Sequence, residues 1–182
     1  ARAEAQRRLN ETEIRAELKR RADEVAVQVF AENLKVLLLA PPLVGRRVLA
    51  VDPGLRTGVK IALLDETGRL LAHDTIYPLE PKNRVEETFA RFDDWRKSFN
   101  WQAIAVGNGT GGREMFKLAQ RYLKEKKPGE DRFAVMVNES GASVYSASEI
   151  ARAEFPDEDV TVRGAVSIGR RLMDPLSELV KI

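Results

Sequence analysis

Three stretches of the chain set an acid or an amide beside glycines. They are Asp52-Pro-Gly-Leu-Arg-Thr-Gly58, Gly107-Asn-Gly-Thr-Gly-Gly-Arg-Glu114 and Asn138-Glu-Ser-Gly-Ala-Ser-Val-Tyr-Ser146. A carboxylate at a strand end, next to glycines that leave backbone amides exposed, holds a divalent cation or positions a phosphate through one. Asp-Pro-Gly is also ordinary turn chemistry, so the first stretch reads equally as a β-hairpin turn. The other two run from a strand through glycine into a helix N-terminus, whose free amides and dipole favour an anion such as phosphate. Asp52 and Glu139 are then neighbours and the candidate metal ligands. Two-metal phosphodiester chemistry places its ions about 4 Å apart and normally needs at least three acids to offset their charge. Asp174 is the candidate third acid, although Asp174-Pro175 reads equally as a local kink. Asn108 stands at the end of the fourth strand, where a further acid would serve. An amide there offers an oxygen ligand without neutralising charge, which counts against catalysis. Arg56, Thr57, Asn108, Thr110, Arg113 and Ser143 are the candidate phosphate contacts; Arg56, Thr57 and Arg113 fit local capping or pairing equally well.

The elements that must position these residues follow from periodicity. Residues 1–42 form a helical segment: strong helix formers without internal glycine or proline, Ile14, Leu18, Val25 and Val29 at near-helical spacing, and a stop at Pro41-Pro42. A helix of this length cannot bury its apolar stripe alone, so it belongs with helices of a longer parent chain, an expectation that chain ends falling mid-helix favour. From residue 46 the pattern switches to strands. Val48 to Asp52, Val59 to Leu64 and Leu70 to Tyr77 read as an antiparallel meander, with Asp65-Glu-Thr-Gly68 as a hairpin turn. Val85, Phe89, Phe92 and Trp95 recur as the core face of a helix. Then come strand Ala103 to Val106, helix Arg113 to Lys124, strand Phe133 to Val137, helix Ser143 to Glu154 and a last helix from about Arg163 to Val180. The order βββαβαβα predicts an α/β domain over 46–182: a ribonuclease H-like mixed five-stranded sheet, three antiparallel strands followed by parallel βα units, with helices on both faces. Ligands of such a sheet collect at the rim formed by its parallel strand ends.

Composition sets outer bounds. At 182 residues with 43% apolar content, the chain holds one sizeable core and has no apolar run long enough to cross a bilayer. Zero cysteines exclude disulfides and thiolate metal sites, and the N-terminus carries no apolar signal region, so the cytoplasm is the expected home. A formal net charge of +2 predicts no partner by itself. Lys117, Arg121, Lys124, Lys126 and Lys127, with Arg163, Arg170 and Arg171 on another helix, suit phosphates, although such runs are more often solvated faces. Tyr145 and Trp101 suit base stacking, with half-buried packing as the alternative.

The motifs VDPGLRTG, GNGTGGRE, VNESGASVYSASEIA, and EFPD with VRGAVSIGRRLMDPLSELVKI, in this order, closely resemble the Tex family of transcription accessory proteins, over about residues 46–182. The lead-in to the double proline resembles the helical segment before that family's YqgF-type domain. The resemblance implies a RuvC/YqgF-like ribonuclease H fold inside a larger cytoplasmic protein that binds nucleic acid, RNA or single-stranded DNA, and works with the transcription machinery. It also implies surrounding helical regions, helix-hairpin-helix elements and an oligonucleotide-binding barrel in the parent. Against active YqgF-like and RuvC-like resolvases, Asp52 matches the first-strand acid and Glu139 resembles the later strand-end glutamate. Asn108 stands where relatives read an aspartate, and Ser167 falls where their last helix carries one. Asp174 lies two turns beyond Ser167 on roughly the same helix face, and whether it compensates is left open by the resemblance.

Three functions follow as expectations. The first is a nucleic-acid-associated module whose nuclease site has degenerated and requires no cofactor. The second is an active nuclease using Mg²⁺ or Mn²⁺, of Holliday-junction-resolvase or endonuclease type. The third is a structural spacer. DPGLRTG also resembles the phosphate loop of sugar-kinase and actin-like ATPases, but those clasp nucleotide between two such domains and this chain has room for one. A serine hydrolase on Ser140 or Ser143 lacks a base, because the only histidine, His73, lies on a strand.

Overall fold

A computed structural model describes residues 2–127, 129 and 131–182, with side chains from residue 10 onward; Ala1, first in the expected helical segment, lies outside the described residues. Two compact units divide after Ala40. The first is helix α1 (Arg2–Leu38), which carries ion pairs such as Arg15–Glu11 and Arg21–Glu17 on its exposed surface between residues 11 and 24. Each exposed pair of this kind adds only a few tenths of a kcal/mol to the helix. Ile14, Leu18, Val25, Val29 and Phe30 are exposed along it. No helix of the described residues is long and apolar enough to cross a membrane.

The second unit, Pro41–Ile182, is built on strands β1 (Val48–Asp52), β2 (Val59–Leu64), β3 (Leu70–Ile76), β4 (Ala103–Gly107) and β5 (Phe133–Val137). Their order is β3-β2-β1-β4-β5. β2 runs antiparallel to β1 and β3, whereas β4 runs parallel to β1 and β5. The helices are α2 (Val85–Phe99), α3 (Gly112–Lys126), α4 (Ala142–Ala147), α5 (Glu149–Glu154), α6 (Val160–Met173) and α7 (Pro175–Leu179). This mixed five-stranded α/β sheet is the expected ribonuclease H-like arrangement.

Alternation along the strands divides the core into two layers. Leu49, Val51, Ile61, Leu63, Ile104 and Val106 face α2 and α3, where Phe89, Phe92, Trp95, Met115 and Tyr122 pack against them. The Tyr122 ring meets Phe89 and Phe92 edge-on at 5.3 Å, and its hydroxyl donates to Asp93 at 2.9 Å. The opposite face carries smaller residues, Ala50, Ala62, Ala103 and Ala105, and receives α6 through Ala165, Val166 and Ile168. Small strand residues let α6 approach so closely that a Cβ at Gly169 would stand 2.6 Å from Leu64 Cδ1 and 2.8 Å from Ala50 Cβ.

Several local expectations change. The helix read as 143–154 is two short ones, broken at Ser148, whose hydroxyl caps α5. The last helix begins earlier, at Val160 behind the Asp159 cap, and breaks at Asp174. Pro175 is the cause, because its ring disfavours helical geometry in the residue before it, and Asp174 adopts φ −149° and ψ 87°. Trp101 and Tyr145 are fully buried rather than half-buried or stacking, with Trp101 Nε1 donating to the Phe92 carbonyl at 3.3 Å.

Candidate functional site

The C-terminal ends of β1, β4 and β5 share one rim because these strands are parallel and in register, with Val51 opposite Val106 and Gly107 opposite Val137. Asp52 ends β1. Glu139 follows β5, and its backbone N–H donates to Oδ1 of Asn108 at 3.1 Å, while the Asn108 N–H donates to the Val137 carbonyl at 3.0 Å. The glycines of the GNGTGG loop make room for the Glu139 carboxylate, which lies where any Cβ on Gly107 or Gly109 would be. Asp52, Glu139 and Ser143 line one cavity of about 320 Å³, closed on its far side by Thr161, Gly164 and Ile168 of α6. A Cβ at Gly164 would stand 3.1 Å from Oδ2 of Asp52, so α6 reaches the site with a bare backbone.

Electrostatics at this rim are those of two acids held together. Burial, and then the charge of Glu139, push the Asp52 carboxyl up to about 6, against the opposing pull of Lys60. Oε2 of Glu139 is buried without a hydrogen-bond partner. One turn beyond Ile168, Arg171 is 5% exposed and its Nη1 donates to the carbonyls of Asn138 (2.8 Å) and Ser140 (2.7 Å), pinning the loop on either side of Glu139. Burial lowers the Arg171 pKa, while Glu178 and Glu139 raise it. Its Nε and Nη2 are buried without partners, as is Oε1 of Glu178, which is 2% exposed. A buried guanidinium thus serves the loop that carries Glu139.

Other candidate residues are placed elsewhere. Asp174 caps α7, its carboxylate accepting the Ser177 N–H at 3.0 Å and the Ser177 hydroxyl at 2.6 Å. It lines a different cavity, with Leu43, Thr67 and Met173, so the structure does not bring it to Asp52. The expected helix face is lost where Pro175 breaks the helix. Ser167, on α6 between Gly164 and Arg171, is fully buried and its hydroxyl has no partner. Arg56 is exposed and lines a separate cleft, and the Thr57 carbonyl accepts from Lys60 Nζ at 2.8 Å. Thr110 and Arg113 are exposed beside the start of α3. Asn108 is exposed with its amide oxygen already engaged by Glu139.

The expected basic face on the last helix turns inward. Arg163 donates to the Phe155 carbonyl at 3.1 Å, and Arg170 donates to the Gly68 carbonyl at 2.9 Å and pairs with Glu154 at 2.5 Å. Lys117 and Lys124 on α3 and Lys126 and Lys127 at its end are exposed, while Arg121 pairs with Glu125. His73 lies 3.1 Å from Glu158 on the surface. Sequence reasoning missed Gly164 and the burial of Arg171. Their seven-residue spacing on one helix face, with Ser167 and Ile168 between them, was the available signal.

A mixed sheet of this order, with two acids on the shared rim of its parallel strands, defines a ribonuclease H-like domain. Residues 46–173 match the model of the Tex protein YqgF-like domain. The chain belongs to that family. It is 49% identical over 172 residues to Protein tex of Bordetella pertussis (strain Tohama I), covering 94% of this chain and 22% of that protein. It is 49% identical over 165 residues to Transcriptional accessory protein Tex of Neisseria gonorrhoeae, covering 91% and 21%. It is 39% identical over 171 residues to S1 RNA-binding domain-containing protein 1 of Homo sapiens, covering 93% and 17%. The chain therefore spans less than a quarter of the length of these relatives. Among solved structures, T. thermophilus RuvC in complex with Holliday junction substrate superposes with a TM-score of 0.46 at 15% identity, covering 75% of this chain and 95% of that one.

Proposed function

We propose that this chain is the nucleic-acid-associated module of a cytoplasmic transcription accessory protein, and that its ribonuclease H-like site binds without cleaving. The observation that carries this reading is the charge inventory of the rim. Among the described residues no group of three or more His, Cys, Asp or Glu is gathered as a metal site. Two carboxylates, one of them with its pKa pushed up to about 6, do not offset two divalent ions, and the neighbouring fixed cation, Arg171, repels a metal rather than attracting one. The donor set does not fit a metal pair. Binding then falls to the amides at the start of α3, to Thr110, Arg113 and Ser143, and to the lysines along α3, contacts that depend on phosphate and not on a metal. The parent protein would supply further contacts to RNA or single-stranded DNA and to the transcription machinery.

One observation favours an active nuclease as the second reading. Oε2 of Glu139, buried without a partner beside Asp52, is an oxygen that a single Mg²⁺ or Mn²⁺ would satisfy. Bound there, the ion would polarise a phosphate oxygen. One experiment separates the two. Labelled single-stranded and branched DNA and RNA are incubated with the chain and either metal, and binding is followed in parallel across salt. The proposed function expects salt-dependent binding with no cleavage above that of Asp52→Asn. Metal-dependent cleavage abolished by Asp52→Asn overturns it, and absence of all binding leaves the domain as a spacer.

A further inference from the structure

We propose that a second cleft, beside the acid rim, receives one base of a single-stranded nucleic acid and holds the adjoining phosphate between two cations that carry no carboxylate partner. The proposal rests on the nucleic-acid reading above and adds where a base is held. The cleft, about 310 Å³, lies between the β1–β2 loop and the segment after β3. That volume is at the small end of ligand sites, suited to one flat group and not to a folded peptide. Its walls are Leu55, Val59, Leu79 and the ring of Tyr77, and its mouth carries Arg56 and Lys82. Lys82 Nζ stands 3.6 Å from the centre of the Tyr77 ring, and neither Arg56 nor Lys82 has a carboxylate partner among the described residues. Glu80 is the single acid among the lining residues, so the mouth stays net positive.

An apolar slot with a positive mouth selects a ligand with a flat, weakly hydrated body and an anionic end, which describes a nucleotide unit. Its surroundings favour a strand. Leu55 and Leu79 converge on Gly111, where a Cβ would meet Leu55 Cδ2 at 3.2 Å and Leu79 Cδ1 at 3.1 Å. Gly111 caps the N-terminus of the fifteen-residue helix α3. The end wall of the cleft is therefore also the approach to the free amides of α3, to Thr110 and to Arg113, where a neighbouring phosphate finds donors. Leu55, 47% exposed on the β1–β2 loop, has its reason here: it completes the slot.

The test measures anisotropy of the 182-residue chain with a labelled single-stranded oligonucleotide and with an abasic strand of the same length and charge, at low salt. The wild type is expected to bind the base-bearing strand about tenfold more tightly. Leu55→Asn, an uncharged change at an exposed position that leaves the core intact, should remove that preference while keeping affinity for the abasic strand. Lys82→Glu should weaken both strands and lower the salt dependence. Equal wild-type affinity for the two strands overturns the base slot and leaves the nucleic-acid reading standing, as does a preference that survives Leu55→Asn. Absence of binding to either strand overturns both.

Discussion

The carboxylate of Glu139 lies directly over Gly109, filling the space that a side chain at that position would need. The contact ties the loop after β4 to the loop after β5 and holds Glu139 facing Asp52. Gly109 has no left-handed backbone requirement, so a methyl group there meets only the end of a flexible side chain. Gly109→Ala should therefore fold with a stability loss of about 1 kcal/mol or less while turning the Glu139 carboxylate away. Carbon-detected NMR titration of Asp52 checks it: with Glu139 displaced, the Asp52 midpoint falls below about 6 but stays above the ordinary carboxylate range, because burial, the larger cause, remains.

Asp52 makes stability depend on pH with a definite sign. Its carboxyl is raised from 3.8 to about 6 in the folded chain. Between those values the folded state binds more protons than the unfolded one, so this group lowers stability as pH rises through that window, and its cost is constant above it. Asp52→Asn removes the cost. Urea unfolding should show the variant more stable than wild type by about 2 kcal/mol at pH 7.5, with the gap closing below about pH 4.

Glu154 acts in the opposite sense. Burial disfavours its charge, but Lys181 at 2.9 Å, the Tyr145 hydroxyl at 2.7 Å and Arg170 outweigh burial and lower its pKa from 4.5 to about 2. The stabilisation is complete above pH 4.5 and is lost as pH falls through about 2. Glu154→Gln should cost about 1–2 kcal/mol at pH 7, a difference that shrinks to nothing in acid unfolding curves taken down to about pH 2.

Ser167→Asp tests the missing acid. Ser167 is fully buried on α6, one turn beyond Gly164, whose backbone approaches Asp52, so an aspartate there is held near the rim without a water shell. Without metal the variant should be less stable than wild type by about 2–3 kcal/mol. Added Mn²⁺ should raise its melting temperature by several degrees while leaving the wild type unmoved, and Asp52→Asn in the same chain should cancel the gain. A thermal scan by circular dichroism of the three proteins, each with and without Mn²⁺, reads the outcome.

Much of the fold was legible because its signals are local. Five apolar runs of strand length, the turn at Gly68 and the aromatic spacing of α2 each follow from neighbouring residues, and together they imposed the sheet order. The two strand-end acids were legible for the same reason, since strand polarity puts Asp52 and Glu139 on one rim. The bend at Ser148 was not legible, because a hydroxyl that caps one helix looks in sequence like any serine inside a longer one. Asp174 was misplaced through a helix face extended across Asp174-Pro175, where the backbone turns away.

By itself, then, the sequence determined which segments become strands, which ends of those strands meet, and that Asp52 and Glu139 stand at those ends. Tertiary structure alone decided the fate of the cations. Arg171, Arg170 and Arg163 sit in one basic helix, yet packing of α6 on the sheet turns Arg171 under the Glu139 loop, ties Arg170 to Glu154 and sets Arg163 on a carbonyl, while Arg56 and Lys82, on two segments remote from that helix, are left without carboxylate partners among the described residues at the mouth of a cleft. The physical reason is that burial and pairing of a long charged side chain depend on elements remote in sequence, whereas strand and turn formation depend on neighbours.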